Sequence, residues 1–520
     1  MSAEQEEPQG VDLAGEGVGE DSIREGEPVL GHAHGASIVL VRAGDEVFAL
    51  DATCTHYGGP LAEGIFDGQC LRCPWHHAAF DVRTGSPARP PALQAVETYE
   101  VIRREGRVFV GEKAAPAAPI RRLATAPDSV VIVGGGAAGD MAAATLRDEG
   151  YSGNLTLVSR DGAEPYDRPN VSKDYLAGTA PEDWLPLRSS EFYEERDIHV
   201  LLERTVTAID GASHEVVLDD GQRIGAAAIL LATGAEPVRL DIPGVAQPHV
   251  YYLRTVTDSR SIIDAAGRAR NAVVVGASFI GLEVAASLRT RGLAVHVVAP
   301  EAVPMEPLLG REMGSFVRQL HEEHGVQFHL QQTLSEIRPD SVVLQNGAQL
   351  QAELVVIGVG VRPRAELAEG AGIAVDRGVL VNEFLETSVP GIWAAGDIAR
   401  WPDARSGERI RVEHWVVAQR QGQTAARNIL GMQEPFDAVP FFWSQHYDVP
   451  INYVGHVEGW DTMHVSGSIA DRDCIVAYRK NGKTLAVASI YRDSDSLLAE
   501  LAMEREDEAE LARLVPADRP

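Results

Sequence analysis

Two glycine-rich turns constrain this chain more than any other feature in it. SVVIVGGGAAGDMAAATLRDEGY (129–151) runs from an apolar strand through Gly134-x-Gly136-x-x-Gly139 into an Ala-rich helix. NAVVVGASFIGLEVAASLRTRGLAVHVVAPE (271–301) repeats the plan about 140 residues later as Gly276-x-Ser278-x-x-Gly281. A turn without side chains lets an anion approach backbone amides at a helix N-terminus, which is how a pyrophosphate is held. A lone match of this kind is weak; a strand before it and a helix after it make it specific. Two such βαβ units imply two doubly wound α/β domains with parallel sheets, each built to bind a dinucleotide. Ser278, in place of the middle glycine, is small enough to fit and narrows the approach slightly.

An acid about 20 residues past the last glycine would take a ribose hydroxyl. The candidates are Asp161, ending LTLVSRD, and Glu301, two residues after Ala299 at the end of the second unit. A carboxylate at Glu301 would repel a 2′-phosphate and favour NADH over NADPH. A solvated loop acid is the plainer reading of the same residue.

The region before the first turn has another rhythm. SIVLVRAGDEVFALDAT alternates apolar and polar residues around a Gly-Asp turn, a hairpin signal, and short strands with Gly-rich turns follow. Residues 25–112 therefore read as a small all-β domain, and GEKAAPAAPIRRLATAP leads through a semi-rigid linker, 113–127. The formal charge of the 520 residues is −30, which argues against nucleic-acid binding through phosphates and against anionic membranes. Nine acids face Arg24 alone in residues 1–30, and 1–24 reads as an acidic, mobile tail. No stretch approaches the ~18 apolar residues of a membrane span, and the N-terminus lacks the basic start of a signal peptide. A cytoplasmic protein is expected. Four cysteines cannot make a disulfide framework on this length.

Three of those cysteines cluster. Cys54-x-His56 lies in CTHYGGPL, and Cys73-x-x-His76 lies in CPWHHAAF. Two thiolates and two imidazoles could bind zinc, but zinc fingers pair Cys with Cys and His with His, whereas each loop here gives one of each. The arrangement resembles the Rieske family, in which both Cys hold one iron of a 2Fe–2S cluster and both His hold the other. His77 stands where that family usually has Gly and competes with His76 as ligand; the x-x spacing favours His76. Cys70 reads as a small buried hydrophobe. High-potential Rieske proteins resemble one another in an inter-loop disulfide and in Ser and Tyr donors to the sulfurs. The corresponding positions here are Gly59 and Trp75, then Ala78 and Phe80. None supplies those bonds, so the resemblance implies a low potential.

Dispersed segments beyond residue 128 resemble the pyridine-nucleotide-dependent flavoproteins of the apoptosis-inducing-factor-like and ferredoxin-reductase branch. They are YDRPNVSKDYL (166–176), LLATGAEP (230–237), WAAGDIA (393–399), EHWVVAQRQGQTAARNILG (413–431) and FFWSQ (441–445). The resemblance implies FAD on the first glycine turn, with Arg168 at its phosphates and Lys173 near the flavin ring. It places Asp397 at the ribityl chain and Trp415 on the flavin; a helix N-cap and core packing are the plainer readings of these two. It also pairs Lys173 with Glu283 near flavin N5, a cation held where negative charge develops. From the residues alone, Glu283 is an acid early in a helix.

The division expected is an FAD domain over 128–247 and 376–434, an NAD(P)H domain over 248–375 and a C-terminal α+β reductase module over 435–520. No cysteine lies between 128 and 473, which excludes thiol-dependent chemistry at the flavin. The function expected is electron transfer from a nicotinamide cofactor through FAD to the chain's own Rieske cluster, then to an external redox protein. An oxygenase component, a ferredoxin or a cytochrome would serve as acceptor, and a homodimer is compatible with this reading. The alternative is a slow-turnover, NADH-binding sensor like apoptosis-inducing factor.

Overall fold

The computed structural model describes residues 10–115, 126–210 and 213–516. These form two compact units. One holds the described residues up to 115 with 453–455 and 492–516; the other holds 126–452 and 456–491.

In the first unit the expected hairpin is present. Ala36–Ala43 pairs antiparallel with Glu46–Asp51, Ala43 opposite Glu46, across Gly44 in the left-handed region. These strands sit in a seven-stranded sheet, and a four-stranded sheet of Ile65–Phe66, Cys70–Arg72, Ala79–Asp81 and Pro87–Arg89 lies beside the cysteine–histidine loops in sequence. The mobile-tail expectation for 1–24 is corrected from residue 10 onward. Val11–Asp12 pairs parallel with Val29–Ala33, Val18–Gly19 pairs with Arg107–Lys113, and Leu13 and Ile23 are buried in the core. A few apolar residues among many acids were enough to add two edge strands. Residues 1–9 of that tail, and 116–125 of the linker, lie outside the described residues.

The C-terminal boundary also differs from the expected module. The helices Asp493–Glu504 and Glu508–Leu514 pack within the first unit, beside the cysteine–histidine region.

The second unit contains the two doubly wound sheets. Ser129–Val133 lies between Asn154–Val158 and Ala228–Leu231, flanked by Ile198–Leu201 and Ile392–Ala394, all parallel. Asn271–Val275 lies between Ala294–Ala299 and Leu354–Ile357, flanked by Gln327–Leu330 and Val250–Tyr252, again parallel. Near-continuous Val, Ile and Leu in the central strands reflects sheets covered on both faces. Thr462–Ser468, Asp473–Lys480 and Lys483–Ile490 form an antiparallel meander, preceded by the strand Phe441–His446. No helix among the described residues is long and apolar enough to cross a membrane.

Candidate redox sites

The two cysteine–histidine loops are tight turns closed by their own backbone. Cys54 N–H donates to Gly59 O at 2.8 Å and Cys73 N–H to Ala78 O at 2.8 Å, so each loop folds back beside its cysteine. Gly59 is required sterically: a Cβ there would lie 2.6 Å from Cys73 Sγ. The thiols of Cys54 and Cys73 are buried and hydrogen-bonded to each other, which pushes Cys54 down and Cys73 up. His56 Nδ1 and His76 Nδ1 face one another at 3.3 Å. That is the span of two nitrogens on one ion at about 2.1 Å, subtending roughly 100°. Among the described residues no three His, Cys, Asp or Glu side chains gather about one point. The donors are grouped two and two, which suits a two-iron cluster better than a single tetrahedral ion.

His77, the other candidate beside His76, is engaged by another partner. It is fully buried with φ +60°, in the region that favours glycine, and its Nδ1 lies 2.5 Å from Glu500 Oε2 on the helix Asp493–Glu504. Glu504, one turn on, pairs with Arg72 at 2.8 Å and with Arg89. Cys70 is buried with its thiol pushed up to about 12 by burial, an inert position. Ala78 and Phe80 are fully buried and bring no donor.

At the first glycine turn, Gly134 adopts φ +120° and a Cβ on Gly139 would lie 1.9 Å from Gly134 O. Strand end and helix start therefore meet backbone to backbone. Gly136 caps the helix Ala137–Asp148, and the Arg168 guanidinium lies 3.5 Å from where its Cβ would be. Burial pushes Arg168 down, and its buried Nε has no hydrogen-bond partner. A half-buried cation with an idle, buried donor at a helix N-terminus is what a pyrophosphate would satisfy. The turn opens on a cavity of about 540 Å³, lined also by Asp161, Thr233 and Arg254. Asp161 accepts from Tyr166 O–H at 2.7 Å. Asp397 is not a helix N-cap. The strand Ala399–Pro402 follows it, and its carboxylate binds Arg254 at 2.6 Å. Trp415 opens the helix Trp415–Ile429, half-buried against the core.

The second turn repeats this geometry. Gly276 has φ +110°, a Cβ on Gly281 would lie 2.3 Å from Gly276 O, and the exposed Ser278 caps the helix Phe279–Thr290. Glu301 is exposed just beyond the strand Ala294–Ala299.

The structure brings Lys173 and Glu283 together from segments 110 residues apart. Nζ lies 2.9 Å from Oε2, which also accepts Ser172 O–H at 2.7 Å, while Oε1 accepts Ser444 O–H at 2.6 Å. Ser172, Ser444 and Arg254 were not identified from the sequence. FFWSQ and the flavin segment contain the two serines, but no spacing rule marks a hydroxyl that meets a carboxylate so distant in the chain.

A model of the pyridine nucleotide-disulphide oxidoreductases matches residues 128–422. The chain belongs to that family. The Rieske [2Fe-2S] domain model matches 18–100 and the reductase C-terminal model 441–519. Apoptosis-inducing factor 3 of Homo sapiens is 34% identical over 88% of this chain and 78% of its own. Putidaredoxin reductase of Pseudomonas putida is 34% identical over 71% of this chain and 89% of its own. In the crystal structure of the covalent putidaredoxin reductase–putidaredoxin complex, the matched chain is 33% identical with a TM-score of 0.71. The match covers 73% of this chain and 94% of that one. The chain is an NAD(P)H-dependent flavoprotein oxidoreductase with a Rieske 2Fe–2S domain. Despite the family's name, it has no cysteine between 128 and 473 for disulphide chemistry.

Proposed function

We propose that this enzyme oxidises NADH and delivers the electrons singly, through its own cluster, to a separate redox protein in the cytoplasm. An oxygenase component, a ferredoxin or a cytochrome is the acceptor class. The observation that carries this reading is the buried Lys173–Glu283 pair, held by two hydroxyls in a stretch, 128–473, with no thiol to divert the electrons.

The residues divide the work. Gly134, Gly136, Gly139, Arg168, Asp161, Asp397 and Trp415 would hold FAD; Gly276, Ser278, Gly281 and Glu301 would hold the nicotinamide dinucleotide; Cys54, His56, Cys73 and His76 would hold the cluster. Bound FAD would supply the conversion of a two-electron hydride into single electrons, and a bound cluster would supply one-electron capacity. Lys173 places positive charge where negative charge develops, and Glu283, fixed by Ser172 and Ser444, aims that ammonium. Glu301 disfavours a 2′-phosphate by charge.

Anaerobic titration with NADH, followed by visible absorbance for the flavin and electron paramagnetic resonance for the cluster, tests this reading. Reduction of both at turnover speed is expected. A flavin that bleaches while the cluster stays oxidised would overturn the relay. The likeness to ferredoxin reductases does not favour the slow-sensor alternative.

A further inference from the structure

Beyond Ser444, which fixes Glu283 on its other oxygen, a row of side chains continues that hydride transfer does not need. Ser444, which donates to Oε1 at 2.6 Å, has its Oγ 3.2 Å from His446 Nε2. His446 Nδ1 lies 3.2 Å from His321 Nε2, and His321 Nδ1 lies 3.4 Å from the Tyr447 hydroxyl. Ser444, His446 and His321 are buried. Tyr447 is half-buried and stacks, at 3.6 Å between ring centroids, on the exposed His324. The row thus leads from the buried ion pair to an exposed residue.

Its hydrogens are fixed by elimination. Ser444 spends its one hydrogen on Glu283, so its oxygen accepts from His446 Nε2–H. His446 Nδ1 then accepts from His321 Nε2–H, and His321 Nδ1 accepts from Tyr447 O–H. Every donor points toward the carboxylate. The row has one other fully bonded arrangement, with the proton on Glu283 and every donor reversed. Passing from the second to the first moves one proton from Glu283 out past Tyr447, and no group changes its partner.

We propose that Glu283, Ser444, His446, His321 and Tyr447 form the proton exit of the reductase. When one NADH reduces two one-electron acceptors, the nicotinamide C4–H bond breaks and its two electrons leave singly. Its hydrogen nucleus remains as one proton, which must cross the buried site by hydrogen-bonded groups. The inference rests on the reading of Lys173–Glu283 as the flavin-side pair. Lys173 and Glu283 face the inner end of the row, and Arg289 and His324 face the outer end. Burial pushes His446 down to about 4 and His321 well below its ordinary value. Both imidazoles are therefore neutral, each with one N–H and one free acceptor, as a relay requires.

The test uses the full-length holoenzyme and the variants His446→Gln, His321→Gln and Tyr447→Phe. Stopped-flow records flavin bleaching by NADH, then reoxidation by ferricyanide in light and heavy water, with an indicator dye for proton release. The expected result is bleaching changed by less than about twofold, with reoxidation and proton release slowed about tenfold and restored by added imidazole. In the flavin-free parent, nitrogen-15 spectra should show both histidines as Nε2–H tautomers. Reoxidation at the parent rate with the parent's isotope effect would overturn the exit, as would slowing that imidazole does not relieve. If a histidine variant loses its flavin, Tyr447→Phe, at the outer end, decides. A parent whose flavin NADH does not bleach would overturn the functional reading itself, and this inference with it.

Discussion

Glu283 is almost fully buried yet holds a full set of donors, so its charge is tied to one cation, Lys173. Lys173→Met removes that cation and leaves the glycine turn and Arg168 untouched. NADH should then bleach the flavin on the order of a hundredfold more slowly, with FAD still bound; an unchanged stopped-flow rate would take the pair out of the hydride step. Glu301 is exposed, so the role proposed for it rests on charge. Glu301→Arg should move the NADH-to-NADPH ratio of kcat/KM by on the order of tenfold toward NADPH, read from steady-state kinetics with both cofactors. Gly59 acts through volume. Its substitution by Ala would set a methyl 2.6 Å from Cys73 Sγ, and the purified protein should carry less iron per chain than the parent.

The helix Asp493–Glu504 connects the chain's last residues to the cysteine–histidine region, and beside its buried Leu497, Leu501 and Met503 it makes ion pairs there. Arg72 is nearly fully buried between Asp67 at 2.7 Å and Glu504 at 2.8 Å, so Glu504→Ala leaves a buried cation with half its partners. Loss of about 3 kcal/mol from the first unit is expected in denaturant unfolding; no change would mean the helix rests there without holding it. For Asp67, burial raises the carboxyl, but the Cys70 amide and Arg72 outweigh it and hold it below its ordinary 3.8. A depressed carboxyl stabilises above its unfolded value, and the effect is lost as pH falls through the folded one. Stability of this unit should therefore fall below about pH 4, and Asp67→Asn should flatten that fall. Little of this was legible in the sequence. The ligand loops and glycine turns could be read because their partners lie a few residues apart, where spacing carries geometry. His77 and Glu500 lie 423 residues apart, and no local pattern marks that pairing. The same holds for Leu13 and Ile23, whose burial outweighs the acids that made residues 10–24 look solvated.

Across the whole molecule, the chain joins a hydride acceptor site to a one-electron carrier site, and the driving force depends on the carrier's potential. Ala78 and Phe80 are buried beside Cys73 and offer no hydrogen to a cluster sulfur, while Gly59 and Trp75 leave the loops unjoined by a disulfide. A reduced, more negative cluster is then poorly stabilised, and its midpoint should lie toward the low end of the Rieske range, near −150 mV. A potentiometric titration monitored by electron paramagnetic resonance measures it; a value above +100 mV would mean other donors reach the sulfurs. A low potential suits an acceptor supplied by NADH. Covalent fusion also changes the kinetic order. A free carrier meets its reductase in proportion to concentration, whereas a tethered one stays at an effective concentration set by the chain. Reduction of the cluster by excess NADH should therefore keep one first-order rate constant over about a twentyfold dilution of the protein. A rate that falls in step with dilution would show electrons crossing between molecules, and the fused relay would give way to exchange between separate copies of the chain.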